Sequence, residues 1–154
     1  MNPPGPLPAA PPSVPGPLKG EGCRVEFEAA PGGLQGAMLF RVTGQYDGAM
    51  LVRVYRALAE TMPGEAMNVI GDTRAAETFV DYASFEEASR IILEHGFRVL
   101  NVVICDRDAG RSFVVRLANA VSRIHGLQVQ SRVVPQMAEA AAVLSAMMHG
   151  VPEA

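Results

Sequence analysis

The densest run of side chains able to do chemistry is Cys105-Asp106-Arg107-Asp108-Ala109-Gly110-Arg111-Ser112. A buried-strand pattern, Val99 to Cys105, leads into it and an amphipathic pattern follows, so the run would sit where a strand turns into a helix N-terminus. Taken as C-x5-R-S, it could hold a thiolate of lowered pKa at Cys105, while Arg111, backbone amides and the helix dipole bind an oxyanion. Two aspartates in the same loop would repel such a substrate. Taken as a strand followed by D-x-D, it could support aspartate-based phosphoryl transfer, which also demands a downstream lysine and an acidic pair; both are missing. The plainest account is a loop in which Cys105 packs as the last residue of a buried strand and Asp or Ser caps the next helix.

A second edge is Asp72-Thr73-Arg74, after the short strand pattern Met67 to Gly71, together with Asp81-Tyr82-Ala83-Ser84 at the entry to the next amphipathic stretch. Residues at the carboxyl ends of parallel strands line the crevice where open α/β sheets bind, which makes Asp72, Arg74, Asp81, Tyr82 and Ser84 the candidate binding surface. Turn and cap roles for Asp72 and Ser84 are the competing account.

Each of the three histidines precedes a glycine, at His95, His125 and His149. That pairing reads as a helix C-terminus, with the cation at the negative end of the dipole and Gly left-handed at C′. Metal-ligand spacing is absent, and no metal or other cofactor is expected. The single lysine is Lys19, so a Walker lysine or a Schiff-base lysine has no candidate in the body, and no G-x-G-x-x-G or G-x-S-x-G run occurs.

These side chains need a scaffold, and the hydrophobic periods supply one. Cys23 to Glu28 alternates, Pro31-Gly32-Gly33 turns the chain, and Ala37 to Thr43 reads as the second strand of a hairpin. From Gly48 the period becomes helical through Met50/Leu51, Val54, Ala57/Leu58 and Met62, until Pro63-Gly64. Met67 to Gly71 is a short buried strand ending at Asp72, and Ser84-Phe85-Glu86-Glu87 reads as the capping box of a second helix with Phe85, Ala88 and Ile91/Ile92 inward. Val99 to Cys105 is a third buried strand; a helix follows with Phe113/Val114, Leu117, Val121 and Ile124 on one face. Leu127 to Val134 alternates again, and Gln136 to Met148 closes as an Ala- and Met-rich helix. The order β-β-α-β-α-β-α-β-α predicts an α/β sandwich, a mixed and mainly parallel sheet of about five strands with about four helices.

Of 154 residues, 49% are hydrophobic and 19% charged, enough for one domain to bury its own core. Eight of the 12 prolines fall within the first 20 residues, so residues 1–21 read as a Pro-rich disordered tail, 22–150 as the domain and 151–154 as a short C-terminal tail. A net charge of -3 disfavours nucleic acid. No early cation and no apolar run of signal-peptide length occur near Met1, no apolar stretch reaches about 18 residues, and the two cysteines make no disulfide framework. A cytoplasmic protein without a membrane span is the expectation.

Phe40-Arg41-Val42-Thr43-Gly44 before the first helix, Asn68-Val69-Ile70-Gly71-Asp72, Val102-Val103-Ile104-Cys105-Asp106, and the Leu127 strand with its Ala-rich helix resemble the STAS domain, the sulfate transporter and anti-sigma factor antagonist domain. The resemblance covers about residues 22–149 and points to the bacterial sporulation anti-anti-sigma-like branch. It implies a STAS-like sandwich and a non-catalytic regulatory module that docks on a kinase, a transporter, an anti-sigma-like or other regulator, or a like subunit as a homodimer. Some members are switched by a serine phosphorylated at a helix N-terminus, in an Asp-Ser-Ser-Gly-like stretch. Here Asp81 matches and the acceptor position is Ala83, with Ser84 one residue on, so the chain resembles the members that lack that serine. Two other functions stay open: a cysteine-dependent phosphatase or sulfurtransferase-like enzyme using Cys105 and Arg111, and a carrier of a small apolar ligand.

Overall fold

The structure, a computed structural model, describes residues 14–108 and 111–150, with side chains outside 111–113. The elements are β1 (Leu18–Gly20), β2 (Cys23–Ala29), β3 (Ala37–Asp47), α1 (Gly48–Thr61), β4 (Ala66–Phe79), α2 (Tyr82–Glu94), β5 (Val99–Cys105), α3 (Arg111–Ile124), β6 (Gln128–Val134) and α4 (Met137–Met148). One sheet holds six strands in the order β1-β2-β3-β4-β5-β6, antiparallel among β1, β2 and β3 and parallel from β3 to β6. No helix among the described residues is long and apolar enough to cross a membrane.

Strand alternation divides the apolar side chains between two faces. Phe40, Val42, Val69, Leu100 and Val102 pack with Met50, Val54 and Leu58 of α1 and Ala88, Ile91 and Ile92 of α2. Leu39, Ile70 and Val103 face the other way and meet Ala140, Leu144 and Met147 of α4. A helix crossover that repeats in one direction along a parallel sheet keeps to one face, and α1, α2 and α3 lie together there, while α4, which follows the last strand, packs on the other face. Each fully buried aliphatic side chain contributes about 1.5–3 kcal/mol by leaving water.

Caps fix where the helices start and stop. Asp47 accepts a hydrogen bond from the Met50 amide at 2.8 Å and begins α1 directly from the end of β3. At the C-termini, the imidazoles of His95 and His149 donate through Nδ1 to the carbonyls of Ile91 and Ser145, at 2.8 and 2.7 Å, and Gly96 and Gly150 take φ of +93° and +69°. His125 stands 3.6 Å from Glu86 of α2.

The structure corrects several expectations. The sheet has six strands rather than about five, because Leu18–Gly20, assigned from sequence to the tail, pairs with Gly20↔Cys23 through Leu18↔Val25. Arg53 of α1 donates to the Lys19 carbonyl at 3.0 Å and ties that edge down. Residues 1–13 and 151–154 lie outside the described residues. The strand expected to end at Gly71 continues to Phe79, held against β3 as far as Asp47↔Phe79. Ile124, expected inward, is 74% exposed because α3 ends there.

Candidate functional site

Asp72 is the last residue of β4 to have strands on both sides, opposite Arg41 of β3 and Cys105 of β5. Immediately beyond it the register shifts: Arg41 pairs with Asp72 and Thr43 with Ala75, so Thr73 and Arg74 together oppose Val42. Such a bulge re-aims side chains. Thr73 turns inward, and Arg74 folds back on Asp72 through paired bonds, Nε to Oδ1 and Nη2 to Oδ2, both 2.9 Å. The Arg74 amide adds a third at 3.2 Å, and Arg41, itself 2.7 Å from Glu28, stands 3.6 Å from Oδ2. Burial alone would raise the Asp72 carboxyl, but the hydrogen bonds and charge of Arg74, with Arg41, outweigh it and hold the group below the usual carboxylate range. Arg74 is correspondingly raised, chiefly by its hydrogen bonds to Asp72.

Cys105 lies beside this pair and is fully buried. Burial pushes its thiol up, Arg74 pulls it down, and Asp72, Asp106 and Glu139 push it up again; the net is a thiol above its ordinary value. A nucleophile needs the opposite. Asp106 does not face solvent as a loop aspartate would: Thr73 donates to its Oδ2 at 2.5 Å and the Asp108 amide to its Oδ1 at 2.9 Å. The loop is therefore clamped to the β4 bulge. Arg111 opens α3, and its side chain, like Ala109 and Gly110, falls outside the described residues. Among the described residues no cluster of three or more His, Cys, Asp or Glu could hold a metal.

The remaining candidates form a second locus. Asp81, not Ser84, is the N-cap of α2, accepting from the Ser84 amide at 2.9 Å and from its hydroxyl at 2.5 Å. The cap expected at Ser84 thus lies three residues earlier, and Ser84 becomes its donor rather than the start of a capping box. These hydrogen bonds lower the Asp81 carboxyl. Tyr82 is 45% exposed and Phe79, at the end of β4, 60% exposed. The N-terminus of α1 abuts the same place, since a side chain at Gly48 would run into Ser84 and reach Asp81. Seven residues of β4 separate the Asp72 locus from this end, about 20 Å at the rise of a strand. The structure therefore joins Asp72 and Arg74 to Cys105, joins Asp81 and Ser84 to the start of α1 with Tyr82 exposed between them in the chain, and keeps the two groups apart.

Other polar groups in the interior were not singled out by sequence. Ser89 and Ser122 bond across α2 and α3 at 2.7 Å, and Asn101 donates to Asn68 across β5 and β4 at 2.9 Å. Tyr46 and Thr78 carry buried hydroxyls without a partner. A polar residue inside a hydrophobic run, as at Asn101 in Val99 to Cys105, is the signal that could have found one of them.

No family model matches the chain, and no curated protein matches it. Among solved structures it is similar to an uncharacterized protein from the DUF3478 family with a SpoIIAA-like fold, from Shewanella loihica PV-4. The likeness covers 82% of this chain and 98% of that one, with a TM-score of 0.54 at 13% identity. At that identity what is shared is the fold. The SpoIIAA-like fold is that of the STAS anti-sigma factor antagonists, so the chain has the STAS-type fold its sequence resembles.

Proposed function

We propose that the protein is a non-catalytic binding module of the anti-sigma-antagonist type, contacting a protein partner where α1 and α2 begin. The observation that carries this reading is the exposed aromatic pair, Phe79 and Tyr82, flanking the Asp81 cap. Aromatic side chains left in water beside fixed polar groups are the anchors protein interfaces are built on. Asp81 and Ser84 supply a negative, hydrogen-bonding rim to that anchor. The partner is a kinase or an anti-sigma-like regulator with a cationic, apolar-floored groove. Both cysteines are free and buried, which suits a reducing cytoplasm. Cysteine chemistry at Cys105 draws no support from a buried thiol that is pushed up.

Site-specific photo-cross-linking in cells tests the surface. With benzoylphenylalanine at Tyr82, one discrete adduct is expected; with the same group at Glu26, on the outer sheet face, none is. Phe79→Glu should remove the Tyr82 adduct. Equal labelling at both positions, or none at Tyr82, overturns the reading; an adduct at twice the chain's mass makes the partner a second copy.

A further inference from the structure

A cavity of about 100 Å³ lies between the sheet and helices α1 to α3, walled by groups such as Phe40, Leu51, Val102 and Val114. Most polar side chains on its wall are already paired: Ser89 with Ser122 at 2.7 Å, Ser131 with Asn119 at 3.0 Å, and Thr73 with Asp106 at 2.5 Å. Tyr46 and Thr78 differ. They are register partners on β3 and β4, both line the cavity, and both hydroxyl oxygens are buried with no hydrogen-bond partner. Tyr46 is 4% exposed, so water outside the protein cannot serve it. Native interiors rarely leave such groups unmet, and two adjacent ones on a wall whose other polar side chains are mostly paired mark where a polar atom belongs.

We infer that this cavity binds a small neutral molecule with an apolar body and a single hydroxyl or carbonyl, whose oxygen sits between Tyr46 and Thr78. Neutrality follows from the wall: among the described residues no Asp, Glu, Lys, Arg or His lines it, so a carboxylate or phosphate would be buried without a counter-charge. Burial also pushes the phenols of Tyr46 and Tyr55 up, the mark of a space that rejects charge. Size follows from volume: at about 100 Å³, against the roughly 150 Å³ of a dry cavity that accepts benzene, the site holds no more than one small ring.

Titration with phenol, benzene and benzoate, read by calorimetry, tests the site. Phenol is expected to bind saturably and more tightly than benzene, and benzoate not at all. Tyr46→Phe or Thr78→Val should erase the preference, a loss of about threefold to tenfold for phenol with benzene unchanged. Absence of saturable phenol binding, equal affinity for phenol and benzene, or variants that keep the preference overturns the inference. If Tyr46→Phe does not fold, Thr78→Val and nuclear Overhauser contacts from phenol to the Tyr46 ring in the unaltered protein decide it; contacts elsewhere overturn it.

Discussion

Asp72 shows how much of a candidate site lies in the residue itself and how much in what surrounds it. Its place at the end of a strand was legible, because Met67 to Gly71 is mostly apolar and Asp72 ends it. Its partner was legible only as a neighbour two positions on: nothing in Asp-Thr-Arg announces a bulge that turns Arg74 back to clasp the carboxylate. Nor could Thr73 and Asp106, 33 residues apart, be joined without the register of β4 on β5. The clasp has a pH signature. A carboxyl whose folded-state pKa is lowered contributes stability above its unfolded value, about 3.9, and that contribution is lost as pH falls through the folded value. In Arg74→Met the carboxyl keeps its burial, and only the residue-74 amide and Arg41 are left to oppose it. The variant should lose about 1–3 kcal/mol at pH 7, with the gap to the unaltered protein narrowing toward pH 3. Urea unfolding at both pH values checks this; a gap that does not change with pH would assign Arg74 to packing alone.

Among the elements, β4 departs most from its sequence. Thr73 to Phe79 lacks the apolar density of a buried strand and reads as loop, yet β3 pairs with it from Thr43↔Ala75 to Asp47↔Phe79, while on its other side β3 meets the β1–β2 turn at Gly44. Gly44 has φ +91°, and a Cβ there would strike the Gly22 carbonyl, which accepts from the Gln45 amide at 2.8 Å. The long pair then delivers Asp47 and Asp81 as neighbouring caps, with Gly48 pressed against Ser84. Gly48→Ala should therefore destabilise by about 1–3 kcal/mol, although Ala is the better helix former, and Ser84→Gly in the same chain should recover much of it. Thermal unfolding of the two single variants and the double variant measures the coupling. Additive losses would mean that the helix ends do not press on one another.

For the whole molecule, periodicity sufficed for the class. The hairpin, three strand-helix units and closing helix all follow from the switch between period 2 and period 3.6. What escaped was β1, three residues being too short for any period and lying in a Pro-rich run. The sheet order equals the chain order, and that feature has a kinetic meaning. Every strand finds its mate in the strand before it, across a turn from β1 to β3 and across a single helix from β3 to β6, so no strand waits for one further along the chain. The exception is α4, which must return over Leu39, Ile70 and Val103. In pulse-labelled hydrogen exchange during refolding, amides of Leu39, Val69 and Ile70 should gain protection before those of Leu144 and Met147; simultaneous protection would mean a single concerted step. An intermediate lacking only α4 would show one bare, apolar sheet face. That makes the interval before the last helix docks the moment at which this chain is most open to self-association or to capture by a chaperone.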